Sequence, residues 1–233
     1  MIDHYDWAGG REAMLRFGPA DGPVVIAALP LFEEANRTRT FTVTVLRALA
    51  GHGIASVLPD MPGQGESAAD IADLTLRDLV TAMAAATGRL AGEARRTYAL
   101  GIRSGALLDV RASHHGRWHL SPQAGREVLR DLHRLWLAGG GKGSVDDMAF
   151  RDDRVEIAGT VVSRNLLRGF DAAEAFAEPG IPRRIARLAS DPGDADVKFD
   201  GAPLWRRAEP GNDPALAAQI AADVAAWVRQ CEG

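Results

Sequence analysis

Residues 97 to 108 read Thr-Tyr-Ala-Leu-Gly-Ile-Arg-Ser-Gly-Ala-Leu-Leu, and this stretch decides the fold. Tyr98 to Leu100 favours a β-strand, a Gly-x-x-x-Gly turn follows, and an alanine and leucine run comes next. The pattern predicts a buried strand that turns sharply into a helix. Arg103 stands at the middle of the turn, between Gly101 and Gly105.

Around this stretch, apolar runs of strand length alternate with runs of helical periodicity. Val24 to Leu29 and Ile54 to Leu58 are nearly continuous apolar runs, as expected for strands buried on both faces of a sheet. The alternation predicts an α/β fold with a mostly parallel sheet and helices on both faces. A hairpin over Tyr5 to Phe17 is expected to add antiparallel strands at one edge.

The second half of the chain interrupts this alternation. We expect one domain over residues 1–233, with residues 123–176 forming a small lid insertion. The elements predicted in this half are a helix after Pro122, a strand over Val155 to Val162, a helix carrying Leu166 to Phe176, strands over Arg183 to Ala189 and Pro203 to Arg207, and a final helix from Pro214.

Three features occur in the order and spacing of the α/β-hydrolase fold, which the chain resembles. Leu29 to Glu34 follows a buried strand, Asp60 to Ser67 forms a glycine-rich loop after the next strand, and Gly101 to Gly105 resembles the Gly-x-Ser-x-Gly nucleophile elbow. The resemblance implies that one oxyanion-hole amide comes from the first loop. The positions concerned are Leu31, Phe32, Glu33 and Glu34 in that loop, and Gly101, Ile102, Arg103 and Gly105 at the elbow.

Two segments narrow the resemblance. Pro30 to Arg39 and Gly101 to Ala106 are similar to the Pro-Phe-x-Glu-Glu-x-Asn-Lys-Ser-Arg and Gly-Leu-Arg-x-Gly-Ala segments of the exosortase A system-associated hydrolases, second type. That family is bacterial and lies beside exopolysaccharide genes. The resemblance of this chain to that family covers roughly residues 24–138 and implies a hydrolase by fold. The members of that family resemble this chain also in carrying arginine at the elbow.

The residues of a serine-hydrolase triad are incomplete in this sequence. A guanidinium is a cationic donor and cannot attack a carbonyl, so Arg103 cannot be the nucleophile. The fold places its histidine before the last helix, but no histidine follows His133. Ser104 remains as an alternative nucleophile or as a helix-start cap, and Asp191 as the triad acid or as a turn residue.

Arg103 itself has two interpretations. Beside a helix start and the oxyanion amides it is placed to bind a carboxylate or phosphate. Alternatively it pairs with Glu33 or Glu34 and fills the vacated pocket. The first interpretation predicts a non-catalytic or weakly catalytic binder of a small anionic or acylated ligand, and the rival is an ester or thioester hydrolase that uses Ser104.

Composition excludes other classes. With a net charge of -4 and scattered basic residues, we expect no nucleic-acid partner. No apolar run reaches the roughly 20 residues of a membrane span, and the first ten residues lack the features of a signal peptide, so we expect a cytoplasmic protein whose partner is a small molecule or another protein. We expect no cofactor and no metal, because His114, His115 and His119 are interpreted as solvated loop histidines.

Overall fold

The computed structural model describes residues 1–151 and 153–233, so Asp152, within the expected lid, lies outside the description. An eight-stranded sheet runs in the order β1-β2-β4-β3-β5-β6-β9-β10. The strands are β1 (Ile2–Trp7), β2 (Gly10–Phe17), β3 (Val24–Ala28), β4 (Ala55–Pro59), β5 (Thr97–Ile102), β6 (Gly116–Leu120), β7 (Arg154–Ile157), β8 (Thr160–Ser163), β9 (Arg183–Leu188) and β10 (Val197–Phe199). The α-helices are α1 (Glu33–Gly51), α2 (Leu76–Ala91), α3 (Gly125–Ala138), α4 (Val145–Phe150), α5 (Arg164–Gly169) and α6 (Pro214–Glu232).

The sheet is parallel except at one edge. Strands β3 to β6, β9 and β10 pair in parallel, whereas β1 pairs antiparallel with β2, and β2 antiparallel with β4. Every residue of β3, β4, β5 and β6 is buried, because helices cover both faces. Apolar residues of α1 and α6 pack on one face, and those of α2 to α5 on the other. The predicted fold class and the opening hairpin are confirmed.

Residues 123–176 lie between β6 and β9 and contain α3, α4, α5 and a separate two-stranded sheet formed by β7 and β8. The single strand predicted over Val155 to Val162 is wrong. Ala158 and Gly159, with φ of 50° and 81°, make a tight turn that folds the run back on itself. The helix predicted as far as Phe176 ends at Gly169.

Two further predictions fail for physical reasons. The last strand is β10, inside a segment that reads as a polar loop, and Pro203 to Arg207 instead forms a single 3-10 turn. After the elbow the chain makes short 3-10 turns over Arg103–Leu107 and Asp109–Arg111 rather than an α-helix, because β6 begins already at Gly116. None of the helices in the described part of the chain combines the length and apolar character needed to cross a bilayer.

Candidate functional site

The elbow is a tight, strained turn at the carboxyl end of β5. Arg103 has a φ of 54°, a left-handed conformation that a residue with a side chain adopts only at a cost. Gly105 is required for close approach, since a Cβ there would lie 2.3 Å from the Ala28 carbonyl oxygen. A Cβ on Gly101 would lie 2.8 Å from Ala106 Cα. The two glycines therefore hold the turn against β3 and present the residue between them. Ile102 is buried in the core below the turn.

The Arg103 guanidinium lies between two carboxylates and an indole ring. Its Nε and Nη2 donate to Glu34 at 3.2 and 3.3 Å, and Nη2 lies 3.7 Å from Asp131 Oδ2. The guanidinium carbon lies 5.0 Å from the centre of the Trp205 ring, within the range of a cation–π contact. The Arg103 side chain is 12% exposed. The pairing considered for Glu33 or Glu34 is therefore made by Glu34, whereas Glu33 lies 3.8 Å from Arg37 on its own helix.

Burial of Glu34 raises the pKa of its carboxyl above the ordinary value, and the Arg103 charge offsets this effect only in part. The free energy lost by removing the carboxylate from water is thus larger than the free energy gained from the ion pair. The pair fixes the position of Arg103 without being a large source of stability.

Ser104 lies one residue beyond the apex. Its side chain is buried, and its Oγ accepts a hydrogen bond of 2.9 Å from the Leu31 amide. This bond ties the elbow to the loop after β3. It also occupies the Leu31 N–H, which is one of the amides expected in an oxyanion hole. Phe32, the next residue, has a φ of 60° and packs edge-on against Phe170.

Asp191 lies after β9, where the sequence places a triad acid. It accepts a hydrogen bond from the Ser121 hydroxyl, and Ser121 follows β6 with a φ of 45°. Trp205, which follows the last strand, contacts the Arg103 guanidinium. The sequence predicted a strand over Pro203 to Arg207 and gave no sign of this contact.

Two adjoining cavities open at the elbow. The elbow chamber, of about 380 Å³, is lined by residues that include Leu31, Phe32, Glu33, Glu34, Arg103, Ser104 and Trp205. The arginine chamber, of about 470 Å³, is lined by Asp191 and by five arginines: Arg103, Arg130, Arg134, Arg187 and Arg206. Helix α3 forms a wall of both. Arg103 is therefore paired with a carboxylate and at the same time lines both open chambers.

Two buried donors of the elbow chamber have no acceptor. Arg37 Nε and Trp205 Nε1 find no hydrogen-bond partner within residues 1–151 and 153–233. Both side chains line the chamber. A buried donor without a partner costs roughly 1–3 kcal/mol. Both nitrogen atoms are themselves buried, so they do not face the open space of the chamber even though their side chains line it.

The expectation of solvated histidines is wrong for two of the three. His119 Nε2 lies 2.8 Å from Asp109 Oδ2 inside the protein, and Arg117 Nε donates to the same carboxylate at 3.3 Å. His114 is also buried, which lowers its pKa to about 4. The missed signal was polar residues at alternate positions of a buried strand, Arg117 and His119 in β6. No group of three metal-ligating side chains occurs in the described residues.

Solved structures share this fold. The model is similar to Est1E from Butyrivibrio proteoclasticus with ferulic acid bound, at 16% identity, TM-score 0.69 and 98% coverage of both chains. It is also similar to a haloalkane dehalogenase loop variant from Bradyrhizobium elkanii (13% identity, TM-score 0.64, 100% of this chain and 97% of that one). A thermophilic esterase from Thermogutta terrifontis gives 13% identity and TM-score 0.56 over the whole of both chains.

These likenesses, with the strand order and the elbow, define the class: the chain has the α/β-hydrolase fold. The sequence matches no protein-family model and no curated protein.

Proposed function

We propose that this α/β-hydrolase-fold protein is a pseudoenzyme that binds a small anionic or acylated ligand at the elbow, with residues 123–176 as its lid. The observation that carries the proposal is Arg103 at the strained apex, facing two open chambers. A guanidinium at this place stabilises a carboxylate or phosphate through charge-assisted hydrogen bonds.

The lack of a triad supports binding without serine-type turnover. Arg103 has no nucleophilic atom, and an unactivated hydroxyl such as that of Ser104 needs a positioned base. No histidine is among the residues that line the elbow chamber. We extend the proposal to a bacterial, cytoplasmic protein linked to exopolysaccharide and exosortase systems, on the strength of the two segments around Glu34 and Arg103.

Calorimetry with inorganic phosphate and with acetate tests the binding proposal. The protein should bind at least one of these anions, and Arg103→Met should weaken binding by at least tenfold. Arg126→Ala is the matched control, since Arg126 is an exposed arginine on α3 whose side chain is 74% exposed and lies outside both chambers. Equal binding by wild type and Arg103→Met would refute the role of Arg103.

The alternative is an ester or thioester hydrolase that uses Ser104, and one observation favours it: Ser104 is among the residues lining the elbow chamber. A fluorophosphonate probe separates the two functions. We expect no labelling of the wild-type protein. Labelling that disappears in Ser104→Ala would establish the hydrolase and overturn the pseudoenzyme.

A further inference from the structure

A third cavity continues the elbow chamber on the side away from the arginines. This distal chamber has a volume of about 230 Å³ and lies between the loop after β4, the β7–β8 turn and α3. Phe32, Glu33, Leu132 and Leu135 line both the distal and the elbow chamber. The two cavities therefore share a wall that is mostly apolar. The other apolar side chains of the distal chamber are Ala35, Ile71, Ile157, Ala158 and Val162.

The elbow chamber is the middle compartment of the three. Its walls on α3 are Val128, Leu132 and Leu135, and Trp205 lies opposite Arg103. It shares Arg103, Gln123, Asp131, Arg134 and Arg206 with the arginine chamber. The three cavities thus form a row that is cationic at one end, whereas the distal end combines apolar side chains with the polar residues Glu33, Asn36, Gln64 and Thr160.

The cationic end keeps an excess of positive charge after its internal pairs are counted. Its walls carry five arginines against the three carboxylates Glu127, Asp131 and Asp191. Glu127 lies 3.7 Å from Arg130, and Asp131 accepts a hydrogen bond of 2.7 Å from Arg134. The Arg187 Nε donates to the Asp194 carbonyl oxygen, which brings no charge, and Arg206 is exposed. Arg103, Arg187 and Arg206 remain as candidates to hold an anionic group. Because Arg103 is already paired with Glu34 and Asp191 lies in the same wall, these three arginines carry an excess of one positive charge over the two carboxylates.

We propose that the ligand is an amphipathic anion: a phosphate or carboxylate held by Arg103, Arg187 and Arg206, carrying one unbranched apolar chain that runs past Phe32 into the distal chamber. This inference rests on the proposed function and specifies its ligand. Phe32 is the gate, since it separates the two apolar chambers, has a positive φ and contacts Phe170. Burial of each methylene along this path tightens binding by about fourfold.

Calorimetry with n-alkyl phosphates from ethyl to decyl, all below their micelle concentrations, tests the ligand class. The dissociation constant is expected to fall by about fourfold per methylene from ethyl to octyl. The corresponding n-alkyl carboxylates form a second arm, which decides which anionic group the arginines prefer.

Two variants locate the two ends of the ligand. Leu135→Lys places a charge in the shared apolar wall and should abolish the chain-length dependence while ethyl phosphate still binds. Leu135→Met keeps an apolar side chain there and should preserve the dependence. Arg206→Ala should weaken every alkyl phosphate about fivefold or more, whereas Arg207→Ala, its exposed neighbour outside the chambers, should bind as wild type does.

The outcomes separate this inference from the function on which it rests. If ethyl and octyl phosphate bind equally, the amphipathic ligand is refuted and the anion site stands. If chain length matters but Leu135→Lys leaves it unchanged, the path through the distal chamber is refuted. If neither a phosphate nor a carboxylate of any length binds, the proposed function fails as well.

Discussion

Replacement of Arg103 by methionine is expected to destabilise the protein mainly through the carboxylate that it leaves behind. At a separation of 3.2 Å between Arg103 Nε and Glu34 Oε2, Coulomb attraction lies between about 1 kcal/mol in a water-like dielectric and about 5 kcal/mol at an effective dielectric constant of 20. The two side chains are 12% and 22% exposed, which places the pair toward the upper value. Because burial raises the pKa of Glu34 despite Arg103, desolvation of the carboxylate outweighs that gain, and loss of Arg103 leaves this desolvation uncompensated.

We therefore expect Arg103→Met to lower the unfolding free energy by about 2 kcal/mol at pH 7, including the lost contact with Trp205. Glu34→Gln should cost about 1 kcal/mol, because Arg103 retains Asp131 at 3.7 Å. The double variant should lie within about 1 kcal/mol of wild type, since no buried charge is left unpaired. The cycle gives a coupling energy of about 2 kcal/mol.

Urea unfolding at pH 7, followed by circular dichroism, measures the unfolding free energies of the four proteins in this double-mutant cycle. The dependence of unfolding free energy on urea concentration must be the same for all four. A second series at lower pH tests the Glu34 protonation state. Since its folded-state pKa lies above the ordinary value of 4.5, the contribution of Glu34 to stability is greatest below pH 4.5 and declines as pH rises through the raised pKa. A coupling energy below about 0.5 kcal/mol at pH 7 would refute the argument for a buried pair.

Three further predictions concern the histidine cluster and the elbow. Burial lowers the pKa of His114 from 6.5 to about 4, so between pH 7 and pH 4 the unfolded chain takes up a proton that the folded protein does not. The unfolding free energy of the wild-type protein should therefore fall by about 3 kcal/mol over this range. Urea titrations of His114→Gln should not show this pH dependence. Gly105→Ala should lower the unfolding free energy by more than about 3 kcal/mol, or prevent folding, because the added Cβ meets a carbonyl oxygen. The control is Gly88→Ala, because Gly88 lies on a helix with open space around it. This substitution should raise the unfolding free energy by about 0.5–1 kcal/mol in thermal unfolding. Arg103→Ser should not react with a fluorophosphonate, because no histidine is among the described residues that line the elbow chamber and could deprotonate the new hydroxyl; labelling of this variant would contradict the reasoning.

The central sheet was predictable from the sequence because parallel strands that are buried on both faces consist of nearly continuous apolar residues. The sequence Thr75-Leu-Arg-Asp78 has the spacing of a capping box, and that box forms at the start of α2. Strand β10 was not predictable, because it has three residues at a sheet edge and Lys198 in its middle is exposed. Short edge strands carry too little burial to leave a pattern.

For the site, the sequence predicted which loops form it but not which side chains meet there. The motif at Gly101 to Gly105 marks the apex residue, but which carboxylate reaches Arg103 depends on side-chain geometry across distant segments. Asp131 lies on α3, whose periodicity reports burial in the core and not the groups its polar face approaches. The contact of Trp205 with Arg103 likewise depends on how the chain returns after β10, which the sequence pattern did not reveal.

The backbone around the elbow is strained at three residues that follow neighbouring strands. Phe32, Arg103 and Ser121 all have positive φ and follow strands β3, β5 and β6 at the same end of the sheet. Each such conformation costs roughly 1–3 kcal/mol in a residue with a side chain. In a serine hydrolase the strain at the apex exposes the nucleophile, yet here it exposes a guanidinium between two chambers. We infer that the strain serves to hold Arg103 at the mouth of the cavities, because an arginine needed only for a surface ion pair would require no strained backbone.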